Sequence, residues 1–133
     1  MIRAAPSQYT LPMQKDDPLQ VEVRDGSAPG TRIYQVTGPI TLPNLFTFQD
    51  SMRRGDAPKV AILDLSRVPY MDSAGMGSVI NFFTYCQKNG VRLLIAGVSP
   101  RVSELFKMTG VDTLIPMTTS VDEAEARVSP ATA

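Results

Sequence analysis

The stretch of this chain whose residue types and spacing most clearly suggest chemistry is Asp72-Ser73-Ala74-Gly75-Met76-Gly77, preceded by Tyr70 and Met71. In the plainest role, Asp72 or Ser73 caps a helix N-terminus and the glycines are packing devices. Glycines at a helix start also suit a bound anion. The two strict phosphate patterns, G-x-G-x-x-G and G-x-x-x-x-G-K-[ST], are however both absent. A nucleophilic Ser73 needs a base. The chain has no histidine, which leaves lysine or a carboxylate, and the spacing brings neither Lys88 nor Lys107 beside it. A receiver-type phospho-aspartate needs an acidic pair after the first strand and a lysine after the last, and neither is present. A kinase substrate needs only an exposed hydroxyl. Phosphate on Ser73 adds a charge of about −1.5 to −2, and a helix dipole favours it by about 0.3–1 kcal/mol. Such a modification leaves the fold intact and acts by repelling or blocking a partner.

The elements that must position this segment follow from periodicity. Residues 19–24 alternate Leu-Gln-Val-Glu-Val-Arg, a half-buried strand. Asp25-Gly26 and Pro29-Gly30 bracket a turn. Ile33, Tyr34 and Val36 lie in a second strand ending near Gly38, so the two form an antiparallel hairpin. Residues 41–54 read as one helix: Thr41 caps it, Pro43 fits the first turn, Leu45, Phe48 and Met52 share a face, and Gly55 stops it. Residues 59–65 and 91–96 are nearly continuous apolar runs, which suit strands buried on both faces. Leu114 and Ile115 mark a short last strand. Between them fall a helix with the stripe Met76, Val79, Ile80, Phe83 and Cys86, ended by Gly90, and a helix from Ser99-Pro100 to Gly110. A last helix starts at Ser120, with Glu123 completing a capping box. Strands alternating with helices imply an α/β fold: one domain, a mixed and mostly parallel five-stranded sheet, and about four helices. Ser73 then sits near the carboxyl end of a buried strand, where open α/β sheets place ligand sites.

Bulk composition narrows the function classes. A chain of 133 residues with 43% apolar residues makes one domain with a real core. Its 13 basic and 13 acidic residues balance, which argues against nucleic acid as the main ligand. The single cysteine, Cys86, forms no internal disulfide, and this fits a reducing cytoplasm. Without histidine and with one cysteine, neither a metal site nor a cofactor is expected. No apolar run is long enough to span a bilayer, so no membrane insertion is expected. Residues 1–18 read as a flexible N-terminal tail, with a short strand over 9–13 as the other reading. Residues 19–128 read as the domain and 129–133 as a C-terminal tail.

These motifs resemble the STAS family, and within it the bacterial anti-sigma factor antagonists. Met71-Asp72-Ser73-Ala74-Gly75-Met76-Gly77 is similar to the family's D-S-[SAT]-G-[LM]-G segment. Val60-Ala61-Ile62-Leu63-Asp64-Leu65 resembles the strand before it, and Gly90 with Val91-Arg92-Leu93-Leu94-Ile95-Ala96 resembles the next strand and its entry. Ser99-Pro100-Arg101-Val102 and Leu105-Phe106-Lys107-Met108-Thr109-Gly110-Val111 resemble a further stretch in the right order. The resemblance implies a non-enzymatic, phosphorylation-switched binding module with Ser73 as the phosphoacceptor. It implies an anti-sigma factor with serine kinase activity as partner, bound by the unphosphorylated form so that a sigma factor is released, and a phosphatase that restores Ser73. Two departures stand out. Ala74 replaces a serine found in many members, and the first helix, with Pro43 and two phenylalanines, is less polar than usual.

By spacing, Ala74, Ser78 and Tyr85 lie opposite the core stripe, with Phe82 at the border. The partner surface is therefore expected over Met71, Asp72, Ser73, Ala74, Gly75, Met76, Gly77, Ser78, Phe82 and Tyr85, aromatics being favoured at interfaces. An accessory subunit of a membrane lipid-transport complex is the competing reading, and a nucleotide-binding enzyme is the third. The oligomeric state stays open, a homodimer included.

Overall fold

A run such as Val60-Ala61-Ile62-Leu63 has no polar face, so it is stable only where both sides are covered. In the computed structural model, which describes residues 17–128, this run lies in the middle strand of the sheet. The strands are β1 (Gln20–Asp25), β2 (Thr31–Thr37), β3 (Val60–Arg67), β4 (Arg92–Ala96) and β5 (Met117–Thr118), side by side in chain order. β1 is antiparallel to β2, and every later pair is parallel. The mixed α/β sheet expected from the sequence is thus present.

The helices are α1 (Leu45–Arg53), α2 (Ser73–Lys88), α3 (Pro100–Thr109), α4 (Val111–Leu114) and α5 (Val121–Val128). Alternate residues of each strand serve opposite faces. Tyr34, Leu63, Leu65, Leu93 and Ile95 meet Phe48 and Met52 of α1, Val79 and Phe82 of α2, and Val102 and Phe106 of α3. Ile33, Ile62, Leu94 and Ala96 face the other way and meet Ala124 of α5. Burying one such side chain is worth about 1.5–3 kcal/mol, so the larger cluster holds α1, α2 and α3 to one face.

The helix expected over residues 41–54 is divided. A 3-10 turn, Leu42–Asn44, precedes α1. Asn44 is buried, and its amide donates to the carbonyls of Pro39 at 2.9 Å and Asp17 at 2.8 Å. These bonds hold the turn against the preceding loop. The strand expected at Leu114 and Ile115 is corrected: Leu114 ends the short α4, and β5 begins at Met117. Gly110 takes φ +80°, closes α3, and lets the chain re-enter a helix at once. Two apolar residues carry too little periodicity to separate helix from strand. At Ser120 only half of the capping box forms. The Glu123 amide donates to Ser120 Oγ at 3.1 Å, while the Glu123 carboxylate reaches back to the Thr119 amide at 2.7 Å. The two expected tails, apart from residues 17 and 18, and the alternative strand over 9–13 lie outside the described residues.

Candidate functional site

Ser73 is the first residue of α2, and its placement is set by Asp72. Asp72 is extended, and its Oδ1 accepts from the Gly75 amide at 2.8 Å, the geometry of an N-cap. Its Oδ2 accepts from the Leu42 amide at 3.1 Å. One carboxylate therefore fixes both the helix start and the turn before α1. A parallel bridge between Ile40 and Met71 carries the β2–β3 pairing past a bulge near Gln35 and Thr37. The backbones come so close here that a Cβ on Gly75 would lie 1.9 Å from the Ile40 carbonyl oxygen. Gly75 is thus required by the approach of Ile40, whereas Gly77 has no atom within 4 Å of the same probe position. The second glycine faces open space.

The side chains divide sharply by exposure. Ser73 and Gly77 are exposed, and Asp72 and Ala74 are half-buried. Met71, Gly75, Met76, Ser78 and Phe82 are buried, although all five were expected on the partner surface. The solvent-facing position expected for Ser78 and the border position expected for Phe82 are therefore corrected. The buried face runs through Gly75, Val79, Phe82 and Cys86, joined by Met76 and Ser78. Ser78 tolerates burial because its hydroxyl donates to the Gly75 carbonyl at 2.7 Å. Phe82 packs edge-on to Tyr34 at 5.7 Å and stacks on Tyr85 at 6.0 Å. Tyr85 is half-buried, with the Arg53 guanidinium 5.0 Å from its ring. Twelve residues of helix separate Tyr85 from Ser73, about 18 Å along the axis.

Sequence reasoning missed three exposed apolar side chains: Leu42 (62% exposed), Phe46 (87%) and Met108 (77%). Leu42 abuts Asp72 through its amide, and Phe46 is the second residue of α1, which follows the Leu42–Asn44 turn directly. Leu42, three residues before Leu45, reads with the Leu45, Phe48 and Met52 stripe, while for Phe46 the step of about 100° from Leu45 was a weak signal. Met108 lines a hollow of about 230 Å³ with Tyr70, Met71, Arg101, Glu104 and Leu105, on the side where the chain enters the site. The Arg101 guanidinium lies 5.1 Å from the Tyr70 ring.

Ser73 presents an exposed hydroxyl, and among the described residues no lysine or carboxylate hydrogen-bonds it. Both Asp72 oxygens accept backbone amide protons. Asp64 is buried on the sheet face turned away from α2, taken up by the Ser66 amide at 3.0 Å and the Gln35 side chain at 3.4 Å. Burial pushes the Cys86 thiol up to about 12, so it stays protonated at neutral pH. Among the described residues no cluster of Cys, Asp and Glu could hold a metal ion.

Comparison with known proteins adds to this geometry. Residues 19–124 match the family model described as STAS domain. An anti-sigma-B factor antagonist of Staphylococcus aureus is 35% identical over 75 residues, 56% of this chain and 68% of that protein. The crystal structure of a sulfate transporter family protein from Wolinella succinogenes superposes with a TM-score of 0.66 and 30% identity, covering 77% of this chain and 88% of that one. An anti-sigma factor antagonist from Mycobacterium paratuberculosis shares the fold, with a TM-score of 0.73 at 20% identity, over 87% of this chain and 97% of that one.

Proposed function

The chain belongs to the STAS domain family, and from that premise we propose that it is an anti-sigma factor antagonist switched at Ser73. In this reading it is a cytoplasmic regulatory binding protein and not an enzyme. Its unphosphorylated form binds an anti-sigma factor that is also a serine kinase, and the sigma factor is released. Phosphorylation of Ser73 ends the binding, and a phosphatase restores it. The observation that carries the reading is the exposure of Ser73 at the first position of α2, beside the open Gly77.

The physics supports a switch that leaves the fold alone. A phosphate at that position sits at the positive end of the helix dipole, a favourable term of about 0.3–1 kcal/mol. It also places a charge of about −1.5 to −2 next to the Asp72 carboxylate, on a surface a partner must approach. The accessible contact surface is Asp72, Ser73, Ala74 and Gly77, extended by Leu42 and Phe46. Tyr85 belongs to it only if the partner spans most of α2.

The likeness to the Wolinella succinogenes protein favours a second reading, in which the domain serves a membrane transport complex. The lipid-transport accessory role is one form of it. Among the described residues no helix is long and apolar enough to cross a membrane. Affinity capture from the native cell with wild type, Ser73→Ala and Ser73→Asp separates the readings. An ATPase-type anti-sigma kinase retained by wild type and Ser73→Ala but lost from Ser73→Asp supports the switch. Retention of one set of transporter subunits by all three contradicts it.

A further inference from the structure

The sheet has two edges of very different kind. β5 is two residues long, while β1 is six and lies at the opposite edge among the described residues. A strand of six residues, free of proline, presents a row of outward amide and carbonyl groups that can template another strand. We propose that β1 is a dimerisation edge, and that it pairs antiparallel with β1 of a second copy about a two-fold axis.

The charge pattern of Gln20-Val21-Glu22-Val23-Arg24-Asp25 selects both the occupant and the register. Residues directly opposite in an antiparallel pair share a face, so a two-fold axis must pass beside a single residue. With the axis at Val23, Glu22 of each copy lies opposite Arg24 of the other, and two attractive pairs form. With the axis at Glu22, that carboxylate faces its own copy; with the axis at Arg24, the guanidinium does. Like charges directly opposite are destabilising, which disfavours both slipped registers. Charges on an edge ordinarily discourage pairing, but this arrangement complements itself and so is compatible with the isologous contact of a two-fold dimer.

Packing points the same way. Val23 is 49% exposed, although its hairpin neighbour Tyr34 is fully within the core. Val21 and Val23 line a groove of about 310 Å³ with Arg32, Ser51 and Arg54, where β1 meets α1. A second β1 at the edge sets Val23 against its copy and extends the apolar face of the sheet beside that groove. Gln20, Glu22 and Arg24 lie on the opposite face, where the Arg24 charge also helps hold the Glu125 carboxyl below its ordinary range. The proposal does not depend on the role of Ser73.

Sedimentation equilibrium of the full chain over a dilution series tests it, with wild type, Glu22→Arg, Arg24→Glu and the double exchange Glu22→Arg with Arg24→Glu. Wild type is expected to dimerise. Each single reversal turns two attractive pairs into two repulsive ones, which raises the dimer dissociation constant by about tenfold or more. The double exchange restores the pairs and with them the dimer. A wild type that stays monomeric throughout overturns the proposal, and so does a dimer that both single reversals leave unchanged. Monomers whose β1 amides are nevertheless protected from hydrogen exchange on the outer edge assign that edge to another segment of the same chain, and overturn it too.

Discussion

Adding one methyl group at each of the two glycines of the site separates fold from function. An added Cβ at Gly77 meets nothing within 4 Å. Alanine exceeds glycine by about 0.8–1.0 kcal/mol in a helix interior. Gly77→Ala is therefore expected to stabilise the protein by about 0.5–1 kcal/mol, raising Tm by about 2–5 °C for a domain of this size. The same propensity gain applies at Gly75, but there the Cβ lies 1.9 Å from the Ile40 oxygen and 2.7 Å from its carbonyl carbon. Both are backbone atoms, and the Ile40 oxygen also accepts from the Asp72 amide. Overpacking of this kind costs about 1–3 kcal/mol or more, so Gly75→Ala is expected to lose about 1–2 kcal/mol net. Urea denaturation with unchanged m-values reads both effects. Binding then turns the order around: Gly77→Ala, though more stable, binds the anti-sigma factor more weakly, because its methyl stands on the approach surface beside Ser73. A Gly75→Ala protein as stable as wild type would refute the close-approach argument. A Gly77→Ala protein of unchanged affinity would refute the placing of the partner.

Other substitutions probe the same construction. Asp72→Ala removes the α2 cap and the bond to the Leu42 amide, and a loss of about 1–2 kcal/mol is expected by thermal or urea melting. Phe46→Ser changes a side chain that is 87% exposed, so stability should hold within about 0.5 kcal/mol. The partner affinity should fall, and calorimetry reads whether it does. The Glu125 carboxyl is held below its ordinary 4.5 by hydrogen bonds from the Ser27 amide and hydroxyl. Because the folded value is the lower one, this stabilisation is fully present above pH 4.5 and is lost as pH falls through the folded value. Glu125→Gln should therefore flatten the acid limb of a Tm–pH curve below 4.5, and an unchanged limb would show that the contact contributes nothing.

Most of the architecture was legible because the strands β3 and β4 are runs whose apolar content leaves only one kind of environment. The hairpin, the caps at Ser99 and Ser120, and the position of Ser73 follow from local chemistry of the same sort. The errors came where local pattern was degenerate. Leu114 and Ile115 were too short a signal, and their fate was decided by Gly110. On α2, the stripe was right at Met76, Val79 and Cys86, which are buried, but Ile80 and Phe83 are only half-buried and Phe82 takes the deeper place. The true face includes Gly75 and Ser78, which are not apolar markers; one is buried by the approach of Ile40 and the other by a hydroxyl that returns to the helix backbone. The exposed Leu42 and Phe46 were hidden for the converse reason, since apolar residues near a core stripe read as core until the helix is oriented by its neighbours.

The central claim is that the charge state of Ser73 governs partner binding. Its most direct measurement is the affinity of the captured anti-sigma factor for the purified chain, before and after stoichiometric phosphorylation verified at Ser73 by mass spectrometry. The account predicts tight binding before phosphorylation, and a loss of about 100-fold or more afterwards, equivalent to about 2.7 kcal/mol, with an unchanged far-ultraviolet circular dichroism spectrum. Equal affinity in the two states, or phosphate found on another residue while binding is still switched, would contradict it.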